Sequence, residues 1–230
     1  MEQPDFFAAF DPQKEFTNSL GTFRCETREI KEVNLPSGRV VIGDPLVDLV
    51  AAPLAQRVAP GRYPVIVAIA HLKQKKSVEQ RIACAMLRIS GQRPVRWVNV
   101  VKEERDDSQW EVDGLLGYGV DTGMGCFASV ESAEAMGERM DADEEYLSWV
   151  LDAAEQVHVP MREWVSVVPD TRMSDANVVV FSSGMGDGFY ASYWGYDERD
   201  EPVCLITDFT VVHSPEAEPT PPGKRPWWKL

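Results

Sequence analysis

The chain is poor in histidine, poor in cations and without a long apolar run, and each shortage removes a class of function. Its three histidines, His71, His158 and His213, are scattered over 230 residues. There is no H-E-x-x-H and no zinc-type spacing, so no metal and no cofactor is expected. The four cysteines, Cys25, Cys84, Cys126 and Cys204, form no C-x-x-C pair. Such isolated thiols fit reduced, mostly buried side chains of a cytosolic protein better than a disulfide frame. Lysine and arginine number 23 against 37 aspartates and glutamates, a formal net charge of -14. That surface repels phosphate backbones, so no nucleic acid is expected as a partner. The basic cluster Lys73, Lys75 and Lys76, flanked by Arg81, reads as a solvated loop. An apolar run such as Val65 to Ala70 is far too short to span a bilayer. The opening "MEQPDFFAAF" has no basic n-region of a secretory signal. A cytoplasmic protein with no membrane partner is expected.

What is present describes a globular domain. Hydrophobic residues make up 44% and charged residues 26%, a composition that folds rather than staying disordered. The length allows one domain with a sizeable core. "GRYPVIVAIAHL", Gly61 to Leu72, is β-branched and apolar and reads as a buried central strand. Its neighbour "QRIACAMLRIS" pairs with it across the lysine-rich loop, and "PVRWVNVV" extends an antiparallel meander. Pro36-Ser37-Gly38 reads as a turn between two strands. Helical signals follow at Ser129 to Gly137 and Ala142 to Val159, with Ser129 as a cap and Asp141 with Glu144 as a capping box. Leu147, Val150, Leu151, Ala154 and Val157 form one apolar face of the second helix. "NVVVFSSG", "FYASYWGYD" and "VCLITDFTVV" return to strands. The predicted fold is a single α+β domain over 1–213. It has a large, mainly antiparallel β-sheet with a helical insertion before the last strands. A Pro-rich tail, carrying Trp227 and Trp228, follows over 214–230.

Glycine and aspartate concentrate where chemistry could sit. In "GYGVDTGMGCF", glycines at alternate positions let a ligand or another backbone approach closely, around Gly119, Asp121 and Gly123. In "GMGDG", Asp187-Gly188 is a hairpin signal, and the strand after it carries Tyr190, Tyr193, Trp194 and Tyr196. Aromatics on both faces of that strand mean that neither face is simply solvent. Rings beside carboxylates line sugar, nucleoside and peptide sites. They also stabilise sheets as cross-strand pairs. The candidate ligand-binding set is Asp44, Gly119, Asp121, Gly123, Asp187, Gly188, Tyr190 and Trp194. Convergence of Asp44, Asp121, Asp187, Asp197 and Asp208 would create a site for a hard cation or an acid–base pair. Aspartate is equally a normal turn residue. Cys126, just before a helix start, is a weaker candidate nucleophile with His71 or His213 as base. No catalytic set is assigned.

The stretches "GDPL", "GYGVDTGMGCF" and "VVVFSSGMGDGFYASYWGYDERDEPVCLITDF" resemble a bacterial family, domain of unknown function 4241, from about Val40 to Phe209. The resemblance implies a bacterial source and no particular chemistry. Ala128-Ser129 stands where the family's pattern has an acidic residue. The expected function is therefore a non-catalytic binding or regulatory domain, immunity-like in that an acidic surface would hold a protein partner, or else a small polar ligand in a Gly/Asp/aromatic pocket. The alternatives are a hydrolase or metal-dependent enzyme using clustered aspartates, and a structural domain without a ligand site.

Overall fold

The computed structural model describes residues 4–47, 52–73, 77–103, 111–112, 114–155, 162–169 and 176–213. The expected tail at 214–230, most of the lysine-rich loop and the end of the second helix lie outside the described residues. Two sheets, both wholly antiparallel, carry the fold. The larger runs in the order β1 (Glu15–Asn18), β2 (Gly21–Leu35), β4 (Gly61–Lys73), β5 (Val78–Arg88), β13 (Pro202–Asp208), β12 (Gly188–Tyr196), β8 (Leu115–Val120), β7 (Glu111–Val112). The short β6 (Arg96–Asn99) joins it beside β12. The smaller sheet runs β10 (Trp164–Val167), β11 (Val178–Ser182), β9 (Met124–Ser129), β3 (Val40–Gly43). This is the α+β architecture that the sequence predicts, with the sheet divided in two.

Side-chain alternation explains why both faces of each sheet are apolar. Val65, Val67 and Ile69 of β4 point inward and pack with Ile42, Phe127, Val179 and Phe181 of the small sheet. Ile66, Ala68, Ala70 and Leu72 point outward, where the short 3-10 helix Phe6–Phe10 and the segment Val211–Val212 cover them. A strand covered on both faces reads as a continuous apolar run, which is why Val65 to Ala70 is recognisable as central. Trp194 and Tyr190 likewise belong to the inner core, while Tyr193 belongs to the outer one.

The helices α1 (Val130–Ala142) and α2 (Tyr146–Glu155) cover the outer face of the small sheet. Ser129 caps α1 as expected, its hydroxyl accepting from the Ser132 amide at 3.1 Å. The second cap differs from the expected capping box. Asp141 lies inside α1, and Asp143 is the C-cap of α1, its carboxylate accepting from the Glu145 amide at 3.2 Å just ahead of α2. The packed face of α2 keeps Val150, Leu151 and Ala154 from the expected set and adds Tyr146, while Leu147 is exposed.

Pro36–Gly38 is the expected turn between two strands, with Gly38 at φ 70°, and it carries the chain from β2 in the large sheet to β3 in the small one. Two further expectations are corrected. "PVRWVNVV" does not extend the β4–β5 meander, since β6 pairs with β12. Asp187-Gly188 is not a hairpin: β11 and β12 lie in different sheets. A glycine-rich turn signal specifies that the chain bends, not which strand it meets afterwards. The strand β10 was not expected at all.

Candidate functional site

The two glycine-rich loops form one corner. β8 pairs with β12 in the large sheet, down to the rung Val120–Gly188. β9 pairs with β11 in the small sheet, beginning at the rung Met124–Ser182. Two antiparallel chain segments therefore cross together from one sheet into the other, with residues 121–123 facing residues 183–187. The loops touch: the Ser183 amide donates to the Gly123 carbonyl at 2.9 Å. Glycine is needed where the backbones crowd. A Cβ on Gly117 would lie 2.0 Å from the Tyr190 carbonyl oxygen. Gly184, at φ 57°, would place one 2.6 Å from the Phe209 Cβ.

Most of the polar atoms at this corner already have partners inside the chain. Asp44 is buried, and its carboxylate accepts from the amides of Asp121 and Thr122, each at 2.9 Å. It accepts further from the Thr122 hydroxyl at 2.8 Å and the Leu46 amide at 3.0 Å. The Tyr190 hydroxyl donates to the Gly186 carbonyl at 2.7 Å, and burial pushes that phenol up to about 12. Trp194 lies in the inner core. Gly119 pairs with Phe189 at the solvent face of β8. Asp121, Asp187 and Gly188 are exposed on the rim. The corner thus gathers Asp44, Asp121, Gly123, Asp187, Gly188 and Tyr190.

Asp208 is not among them. Its strand neighbour Phe209 points into the inner core, whereas Asp208 turns to the outer face. There the Cys84 thiol donates to Asp208 Oδ1 at 3.7 Å, and His213 Nδ1 lies 3.2 Å from Oδ2. Sequence alternation would put Cys84 on the inner face with Ile82. A bulge at Ala83, where Ala68 pairs with Cys84 and Ile69 with Ile82, turns it outward. All four cysteines are buried without a disulfide. Burial pushes Cys25 and Cys204 up to about 12, and it raises Cys126 and Cys84 as well, the latter helped by the Asp208 charge. Thiols in that state are poor nucleophiles.

A surface of another kind lies over the helical layer, unmarked by any glycine or aspartate motif. A groove of ≈ 750 Å³ opens between α1, α2 and the end of β10. Tyr146 forms part of its lining, stacked on Trp149 at 5.6 Å between ring centroids. Trp149 is 53% exposed and Val168, across the groove, 43%. Glu138, Asp143 and Glu145 line the same opening. Among the described residues the lining holds one cation, Arg139, which is tied to Asp143 at 3.0 Å and sits over the Tyr146 ring. The Tyr146 hydroxyl is buried and has no hydrogen-bond partner among the described residues. The available signal in the sequence was the aromatic pair at three-residue spacing, which a helix brings onto adjacent positions.

Comparison with protein families gives one match, the model described as protein of unknown function (DUF4241), over residues 33–207. The chain belongs to this family. No curated protein and no solved structure matches it. The DUF4241 match takes in both corner loops, the Asp44 clamp and the groove, and it stops one residue before Asp208. Among the described residues no helix is long and apolar enough to cross a membrane.

Proposed function

We infer that this chain is a non-catalytic binding module of the bacterial cytosol. It holds a basic, aromatic-bearing segment of a partner protein in the groove of the helical layer. The observation that carries the reading is Trp149, half-exposed and stacked on Tyr146 inside a rim of Glu138, Asp143 and Glu145. An exposed indole on a rigid helix is a binding anchor of low conformational cost. Acidic side chains around it attract arginine and lysine, in keeping with a net charge of -14.

The corner supports a small-ligand role less directly. Asp44 and Tyr190 have internal partners, so a polar ligand there would be held by Asp121, Asp187 and the loop backbone. A hydrolytic reading through the aspartates loses Asp208, which faces the opposite side of the large sheet.

The test is selection from a random peptide library on the immobilised full chain. The reading expects enrichment of peptides that combine arginine or lysine with an aromatic residue. These should bind the Trp149→Ala variant at least about tenfold more weakly, the usual cost of truncating an aromatic anchor. Peptides without basic character, or equal affinity for the variant, would reject it.

A further inference from the structure

The grouping of Cys84, Asp208 and His213 is independent of the groove. Their donor atoms all lie within 4.8 Å of one another, and no other grouping of this kind occurs among the described residues. Three structural devices bring them together. The bulge at Ala83 turns Cys84 outward. Asp208 sits directly opposite Cys84 across the β5–β13 ladder. After β13 the chain folds back, with Thr210 at φ 57° and its amide on Asp208 Oδ1 at 3.0 Å. Asn18 holds this return by donating to the Val211 carbonyl at 2.9 Å, and His213 then lands beside Asp208.

The detailed geometry is unlike an ordinary ion pair. His213 Nδ1 is buried and 3.2 Å from Asp208 Oδ2, yet it makes no hydrogen bond of acceptable angle with any described residue. The ring nitrogen and the carboxylate oxygen lie side by side, as two ligands of one ion do. Around a tetrahedral zinc ion, bonds of about 2.0–2.1 Å to nitrogen and oxygen set an N···O edge of about 3.3 Å. A Zn–S bond of about 2.3 Å sets an S···O edge of about 3.5 Å. The observed separations are of this scale, 3.2 Å from His213 Nδ1 to Asp208 Oδ2 and 3.7 Å from Cys84 Sγ to Asp208 Oδ1, so the imidazole and the thiol approach the two oxygens of one carboxylate. We propose that Cys84, Asp208 and His213 form a three-ligand site for a zinc-type divalent ion, with water in the fourth position.

Sulfur and imidazole ligands exclude calcium and magnesium, which take oxygen. Charge also balances. Binding displaces the thiol proton to solvent, leaving thiolate, carboxylate and neutral imidazole around a dication, with a sum of zero. A neutral sum suits a site where Asp208 and Cys84 are buried. The ion would tie the return loop to β5 beneath Phe6, whose ring meets His213 edge-on at 5.1 Å.

Cobalt(II) titration of the chelator-treated full chain tests this. The expected result is one Co²⁺ per chain, a near-ultraviolet thiolate-to-cobalt band, and loss of that band on adding Zn²⁺. Zn²⁺ should also raise the melting temperature. In His213→Ala the metal-free protein should stay folded, cobalt affinity should fall at least about tenfold, and the zinc-induced rise in melting temperature should disappear. His213 lies on the return segment after β13, outside the β5–β13 ladder, so this variant leaves Cys84 in its place. Absence of the near-ultraviolet band at excess Co²⁺ in folded protein would overturn the proposal. So would unchanged affinity in His213→Ala.

Discussion

Thr122 donates twice to Asp44, through its amide to Oδ2 at 2.9 Å and through its hydroxyl to Oδ1 at 2.8 Å. With the Asp121 and Leu46 amides this makes four hydrogen bonds on one buried carboxylate. A carboxylate is the only side chain of this length that accepts on both atoms. Asp44→Asn would turn an NH₂ group against donors. It should cost about 2–4 kcal/mol of stability through unmet donors. Urea denaturation measures the loss, and a change below 1 kcal/mol would mean that the clamp is not holding the corner.

The corner glycines are expected to differ in kind. Gly184 combines φ 57° with a Cβ position 2.6 Å from Phe209. Gly186, at φ 103°, has nothing within 4 Å of its Cβ position. Gly186→Ala should cost about 1–2 kcal/mol through backbone strain alone. Gly184→Ala adds overpacking and should cost about 3 kcal/mol or more. Thermal unfolding of the two variants side by side checks the order; equal losses would count against the packed crossing.

Thiol chemistry should report burial. With Cys25 and Cys204 up to about 12, and Cys84 and Cys126 raised too, almost no thiolate exists in the folded chain at pH 8. Raising a thiol's pKa lowers its reactive fraction at any pH beneath it. A disulfide-exchange reagent should therefore modify none of the four within minutes at pH 8, and all four at once in denaturant. Rapid native reaction of even one thiol would contradict this placement.

The parts of the fold that local chemistry decides are legible in the sequence. β-branched runs give β4 and β11, Ser129 gives a helix start, and rings on both faces of β12 announce two cores. What is decided by distant pairing is not. The segment "GMGDG" shows a bend but not the change of sheet, because that depends on Gly188 meeting Val120 while Ser182 meets Met124. Cys84 departs from alternation only because Ala83 bulges out of register. The apolar face of α2 is legible at Val150, Leu151 and Ala154, whereas Leu147 is exposed and Tyr146 packs instead, at the start of the helix where spacing alone does not fix the burial. At the site, the glycine and aspartate motifs correctly mark an unusual backbone. The aromatic groove carries no such punctuation and emerges only when α1, α2 and β10 are assembled.

The central claim, that the groove at Trp149 is the binding face, is tested most directly through its indole N–H. In a ¹H–¹⁵N spectrum of the full chain, the indole signal missing from Trp149→Ala identifies that residue. On addition of a short peptide carrying arginine and tryptophan, that signal should shift in proportion to occupancy. The shift should vanish when Glu138 and Glu145 are both changed to lysine, with the remaining spectrum intact. A Trp149 signal unmoved while other indole signals shift would place binding elsewhere and contradict the account.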